Sequence, residues 1–313
     1  MNKRKIVLFV TLITLTTSSA TIKFYKDKSI KYINHIVTYA DSIEEDEYQI
    51  AAHRGFSSLE IENTKQAINL ASSKSYIDII EIDTRMTRDN KLVLSHNDNL
   101  LVRPNEMVYV SNMNYDTVTN TKYIYMSRQF HTLSLFNEDY FLIDDRIREQ
   151  DYKHFHVVGL REGLEACKDK KVLLDLKFDN NKELLCYELK RELSGYDTSN
   201  IIFQSLDIEG IKYLQDSSDY NCQVLISRPQ DLNSIEDFNN IGLKYTLINY
   251  EMIDSLLNQG KNICLWTIDN SVELRRVMNI LGDHYKDVTY ITDYPDLIVT
   301  KLHEEEPSSL FSK

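Results

Sequence analysis

Residues 49–64 read QIAAHRGFSSLEIENT, residues 78–86 read DIIEIDTRM and residues 92–100 read LVLSHNDNL. Each stretch holds a short apolar, β-branched run bounded by polar residues, the pattern of a buried strand. Each run also carries an ionisable cluster: His53 with Arg54, Glu81 with Asp83, and His96. Because side chains alternate along a strand, Glu81 and Asp83 face the same side and can grip one ion. A parallel α/β barrel builds its active site at the C-terminal ends of its strands and draws residues from several of them. The three stretches therefore predict metal-assisted acid/base chemistry on an α/β (β/α)8 (TIM) barrel.

The alternation of strand and helix patterns extends this frame along the chain. Residues 65–75 have helical spacing, and further strands are expected at 172–177, 201–205, 222–227, 244–248, 262–268 and 288–292. Helices are expected at 160–168, 183–193, 207–215, 251–259 and 271–281, and nine strand candidates compete for eight barrel places. Residues 101–157, after the third strand, are the least regular part. Connections of that length are uncommon unless functional, so an insertion over the active site is expected there. Its Tyr109, Tyr115, Tyr123 and Tyr125 either line a pocket or pack the insertion into a small core.

With 313 residues, 36 basic against 48 acidic side chains and a net charge of −12, the chain suits one large barrel and repels a nucleic-acid backbone. The N-terminus combines Lys3, Arg4 and Lys5 with an apolar run from Ile6 to Leu15 and small residues Ser18, Ser19 and Ala20. That predicts a signal peptide or signal anchor over 1–22, and hence an exported protein, extracellular or membrane-anchored with its barrel outside the cytoplasm. Residues 23–47 then form a charged linker, 48–302 the barrel and 303–313 a solvated tail. Cys167, Cys186, Cys222 and Cys264 show no metal-ligand spacing and are expected as buried free thiols.

The ordered set His53-Arg54-Gly55, Glu62-Asn63-Thr64, Glu81-x-Asp83, His96, Asp175-Leu176-Lys177, Gln204-Ser205, Trp266-Thr267 and Thr292-Asp293-x-Pro295 resembles the glycerophosphodiester phosphodiesterase family. The resemblance implies a TIM barrel of phosphodiesterase type that hydrolyses glycerophosphodiesters to glycerol 3-phosphate and an alcohol. It implies His53 and His96 as the acid/base pair, Arg54 and Lys177 on the substrate phosphate, and Glu81, Asp83 and Asp175 as metal ligands. All-oxygen ligands favour Mg2+ or Ca2+. Glu62, Asn63, Asp98 and Trp266 are expected in support, with Asn63 capping the following helix and Glu62 binding metal or orienting Arg54.

The chain departs from the family pattern in four places. Asp175 replaces a glutamate, Ile61 a proline and Asp269 an asparagine, and His96-Asn97-Asp98 displaces an aspartate by one residue. The family's usual pattern also makes 244–248 a short or irregular piece. Two other readings use the same residues: a phospholipase D-like or glycerophosphate-transferring enzyme acting on lipid or cell-wall polymer, and a decayed barrel acting as a binding module. The expected partner is a small glycerophosphodiester or a lipid-derived substrate, with no nucleic acid and with membrane attachment through the N-terminus as an option.

Overall fold

The computed structural model describes residues 30–43, 47–126, 139, 142–143, 146, 149–150, 152–179 and 181–304. Eight parallel strands form the barrel: β1 (Gln49–Ala52), β2 (Ile79–Met86), β3 (Lys171–Leu176), β4 (Ile201–Ser205), β5 (Asn221–Ile226), β6 (Asn240–Lys244), β7 (Asn262–Trp266) and β8 (Thr289–Thr292). Neighbours in sequence are neighbours in space. The ring closes because β1 pairs with both β8, Gln49 opposite Thr289, and β2, Ala51 opposite Ile79.

Helices α1 (Lys65–Ser72), α2 (Leu160–Ala166), α3 (Lys182–Glu192), α4 (Ile208–Asp216), α5 (Tyr250–Asn258), α6 (Ser271–Leu281) and α7 (Pro295–Glu304) surround the barrel. Several of their starts are set by short polar side chains that satisfy otherwise unpaired backbone N–H groups. Asn181, Asp207, Asn249 and Asn270 cap α3, α4, α5 and α6 in this way. Between β5 and β6 the connection is a 3-10 segment, Pro229–Asp237, rather than an α-helix.

Of the nine strand candidates, the third is the one outside the ring. Leu92–Leu94 pairs antiparallel with β2, Thr84 opposite Leu94, and lies outside the closed ring. The segment 244–248 is the short, irregular piece expected: it holds only the last residue of the stave Asn240–Lys244 and then a 3-10 turn at Tyr245–Leu247. An apolar run signals burial but not direction, so a strand returning antiparallel along β2 looks like a stave.

The insertion after this third strand of the chain builds its own antiparallel sheet, in the order Glu106–Tyr109, Asn99–Arg103, Tyr123–Ile124, His154–Phe155. Val93, Leu100, Val110, Val118, Tyr123 and Val157 form its core. Its tyrosines split between the two expected roles. Tyr123 is fully buried, Tyr115 packs at the edge of that core, Tyr125 faces a cleft and Tyr109 is exposed.

Within the segment expected as a charged linker, residues 30–40 are helical and bury Ile36 and Ala40 completely. Ile36 packs with Leu142, Ile143, Tyr294 and Leu297, so this part docks on the fold. The expectation of an exported, extracellular or membrane-anchored location is corrected. Among the described residues no helix is long and apolar enough to cross a membrane; helices such as α3 and α6 have 11 residues, against the ~20 apolar residues that spanning requires. The run Ile6–Leu15 lies outside the described residues, as does the tail from 305 onward. All four cysteines are buried and free.

Candidate active site

The site grows from strand alternation. Ala51, Ile79, Leu173, Cys264 and Ile291 form an apolar floor inside the barrel, with Ile202 against it. Two residues further along the same strands, on the same inward side, come His53, Glu81, Asp175, Trp266, Asp293 and Gln204. Another step of two gives Asp83 and Lys177. Carboxylates, imidazole, cation and amide thus form a polar layer above the floor, at the end of the barrel where such enzymes place their chemistry.

Glu81, Asp83 and Asp175 are buried, and each offers an oxygen within 4.8 Å of the others. Asp83 and Asp175 are direct register partners across β2 and β3. Lys177 Nζ lies 2.7 Å from Asp83 Oδ1 and 2.5 Å from Asp175 Oδ2. Arg54 Nε lies 3.3 Å from Asp83 Oδ2, and Arg54 Nη1 donates to Glu62 Oε2 at 3.0 Å. Glu62 therefore orients Arg54 and stands outside the three-carboxylate cluster.

The proton inventory of the cluster follows from burial and charge. Burial, and then the charge on Asp83, push Glu81 up to about 8. Burial acts on Asp83 too, but Lys177 and Arg54 hold it well below the ordinary carboxylate range. The cluster thus carries more negative charge than its neighbours offset. Asp175 Oδ1 is buried with no hydrogen-bond partner, an acceptor that a cation would satisfy. Three converging carboxylates, one oxygen unsatisfied and Glu81 pushed up by burial beside Asp83, fit a divalent ion.

The turn after β1 carries the first histidine. Arg54 and Gly55 take positive φ of 60° and 81°, and a Cβ on Gly55 would sit 2.7 Å from the backbone carbon of Ala67 in α1. This tight turn lets Arg54 N donate to Glu81 Oε2 at 2.9 Å. His53 Nδ1 pairs with Asp293 Oδ1 at 2.7 Å, while its Nε2 lies 3.9 Å from Glu81 Oε2. Burial and Arg54 depress His53, yet Asp293 and Glu81 outweigh them and lift it to about 9.

His96 follows the antiparallel strand. Its carbonyl accepts from Arg85 Nε at 2.9 Å and its Nδ1 is buried without a partner. Burial lowers it to about 4; Asp83 pulls the other way, and Arg54, Lys177 and His53 add to the depression. The two imidazoles thus share one electrostatic environment with opposite proton preferences.

The supporting residues divide. Asn63 does not cap α1: its Nδ2 donates to Asp83 Oδ2 at 2.8 Å and its Oδ1 accepts from Asp83 N at 2.9 Å. Thr64 is the cap, accepting from Ala67 N. Asp98 is turned to the small sheet, where its carboxylate accepts from Ser111 N and Ser111 Oγ, both at 2.8 Å. Trp266 closes β7 with a buried, unpaired Nε1.

Three further residues belong to the layer and were not singled out as site residues from sequence. Asp293 holds His53 and also accepts from Ser57 Oγ at 2.8 Å. Gln204 donates to Glu81 Oε1 at 3.4 Å and accepts from Gln223 Nε2 at 2.7 Å. An inward polar residue at a strand end of an apolar barrel was the available signal for Asp293 and Gln204; Gln223, within β5, gave none. Asp269 Oδ1 accepts from Asp293 N at 2.8 Å. Burial and the charge of Asp293 raise Asp269 well above the carboxylate range. Its Oδ1 accepts there as the carbonyl oxygen of the asparagine expected at this position would.

A closed barrel with buried carboxylates, two imidazoles and two cations at its mouth defines a phosphodiester hydrolase of the (β/α)8 class. Residues 53–297 match the model of the glycerophosphoryl diester phosphodiesterase family, and the chain belongs to that family. It is 25% identical over 266 residues to the "Putative glycerophosphodiester phosphodiesterase YhdW" of Bacillus subtilis (strain 168), covering 80% of this chain and 96% of that one. Among solved structures it resembles an Oleispira antarctica phosphodiesterase in complex with the product sn-glycerol-3-phosphate (TM-score 0.60, 16% identity, 82% of this chain and 96% of that chain). It also resembles the glycerophosphodiester phosphodiesterase of Thermotoga maritima (TM-score 0.59, 18% identity, 82% and 99%).

Proposed function

We propose that the protein hydrolyses glycerophosphodiesters to glycerol 3-phosphate and an alcohol, using a pair of histidines and a magnesium or calcium ion. The observation that carries this reading is the buried Glu81–Asp83–Asp175 cluster, with Lys177 and His53 set against it. Those three carboxylates would hold the ion, which when bound supplies Lewis-acid charge to the phosphoryl oxygens.

Arg54 and Lys177 bind phosphate oxygens and neutralise charge that develops on them. His96, neutral at physiological pH, takes the proton of the glycerol hydroxyl next to the phosphodiester as that hydroxyl attacks phosphorus. His53 retains its proton up to about pH 9, and with Nδ1 held by Asp293 it delivers the Nε2 proton to the departing alcohol. The two exchange roles when water opens the cyclic phosphate. Opposed proton preferences in neighbouring groups are what this division of labour requires.

The test is hydrolysis of glycerophosphocholine and glycerophosphoethanolamine in chelator, then with magnesium or calcium restored. Chelation abolishes turnover and the ion recovers it, and His53→Ala or His96→Ala costs roughly 10²–10⁴-fold. Full activity in excess chelator, or an unaffected His96→Ala, overturns the reading.

A further inference from the structure

A cleft of about 680 Å³ leads from the catalytic mouth into the inserted sheet. Glu62, Asn63 and His96 form its inner wall, the same side chains that position Arg54, Asp83 and the proton relay. The cleft is thus continuous with the place where a phosphodiester would react. Further out the walls change character: Leu101, Met107, Ile124, Met126 and Phe155 line them beside the uncharged Asn99 and Asn105, and among the described residues Glu62 is the one carboxylate or basic side chain, other than His96, in the lining. That carboxylate is already paired with Arg54. The volume lies in the range that takes a drug-sized ligand whole, far beyond what a two-carbon amino alcohol fills. Met107 and Met126 leave 54% and 49% of their surface in water, and flexible thioethers at an open apolar rim suit a chain of variable length.

We infer that this cleft binds an alkyl or acyl chain carried by the substrate, so that the preferred glycerophosphodiester is an amphiphile rather than a small water-soluble one. The inference rests on the phosphodiesterase reading above and specifies its substrate class. The chain has two sources, an acyl group on the glycerol or an alkyl group on the leaving alcohol. Both present methylenes to the same wall, and neither needs a charge to be recognised.

Two substrate series separate the sources: 1-acyl glycerophosphocholines and glycerophospho-alkanols, each from four to twelve carbons, kept below their micellar concentrations. In at least one series kcat/KM rises with length, by up to about fourfold per methylene, the full burial value of one CH2. The ratio of kcat/KM for the ten-carbon substrate over glycerophosphocholine falls at least fivefold in Met107→Asp and in Leu101→Asn. Turnover of glycerophosphocholine with flat profiles in both series overturns this inference and leaves the proposed function standing. Calorimetry with decylphosphocholine against phosphocholine reads the cleft without turnover. Tighter binding of the decyl compound supports the inference even if no diester is hydrolysed, whereas equal binding overturns it.

Discussion

His53 depends on a partner 240 positions away, Asp293, whose carboxylate fixes the ring through Nδ1 at 2.7 Å and leaves Nε2 toward Glu81. The same carboxylate offsets the burial that would otherwise strip His53 of its proton. Asp293→Asn should therefore lower turnover and move the alkaline limb of the pH–rate profile to lower pH, because the imidazolium loses its counter-charge. A profile that only drops, with its alkaline limb fixed, would show that Asp293 acts through packing alone. Asp98 gives the opposite expectation. Its two hydrogen bonds to Ser111 hold the inserted sheet, so Asp98→Ala should cost about 1–3 kcal/mol of stability. Turnover on glycerophosphocholine measured well below the melting temperature should stay within a few-fold of the parent.

The element that sets the site is the turn joining β1 to α1. Arg54, Gly55 and Asn63 all adopt positive φ, a conformation side chains resist and functional turns retain. Gly55 alone has no side chain there, and α1 presses against it. Gly55→Ala should destabilise the protein by roughly 2–5 kcal/mol, combining left-handed strain with overpacking, and a thermal melt reads it directly. An unchanged melting temperature would mean that α1 can shift away. This turn was legible in the sequence because its residues sit together as HRG and ENT, and Glu81, Asp83 and Asp175 were legible because strand alternation puts them two or four residues beyond floor positions. The cap was misassigned because Asn63 and Thr64 are both good capping residues, and only the reach of Asn63 to Asp83 decides between them. Gln223 gave no signal, since one amide inside an apolar strand reveals nothing of the Gln204 that it meets across β4 and β5.

At the scale of the whole molecule, closing eight strands into one ring buries more negative charge than the protein's own cations neutralise comfortably. Glu81 is raised from its ordinary 4.5 to about 8 by burial and the Asp83 charge, and Asp175 is raised by burial against the pull of Lys177. A group that binds its proton more tightly folded than unfolded contributes stability that is complete below its unfolded pKa and is lost as pH rises through its folded one. For Glu81 that window runs from about 4.5 to about 8, and for His53 from 6.5 to about 9. His96, lowered from 6.5 to about 4, acts in the opposite sense up to its unfolded value and offsets Glu81 there, so the metal-free protein should lose stability mainly between about pH 6.5 and pH 9. A divalent ion held by the three carboxylates would reverse this trend, because it would bind their ionised forms and compete with their protons. At a hundredfold excess over its Kd it contributes ~2.7 kcal/mol, and the rise in melting temperature on adding magnesium or calcium should be small at pH 5.5 and several degrees at pH 8. Asp83→Asn should remove that difference between the two pH values. An equal metal-induced shift at both, or one that survives Asp83→Asn, would place the ion elsewhere than between β2 and β3.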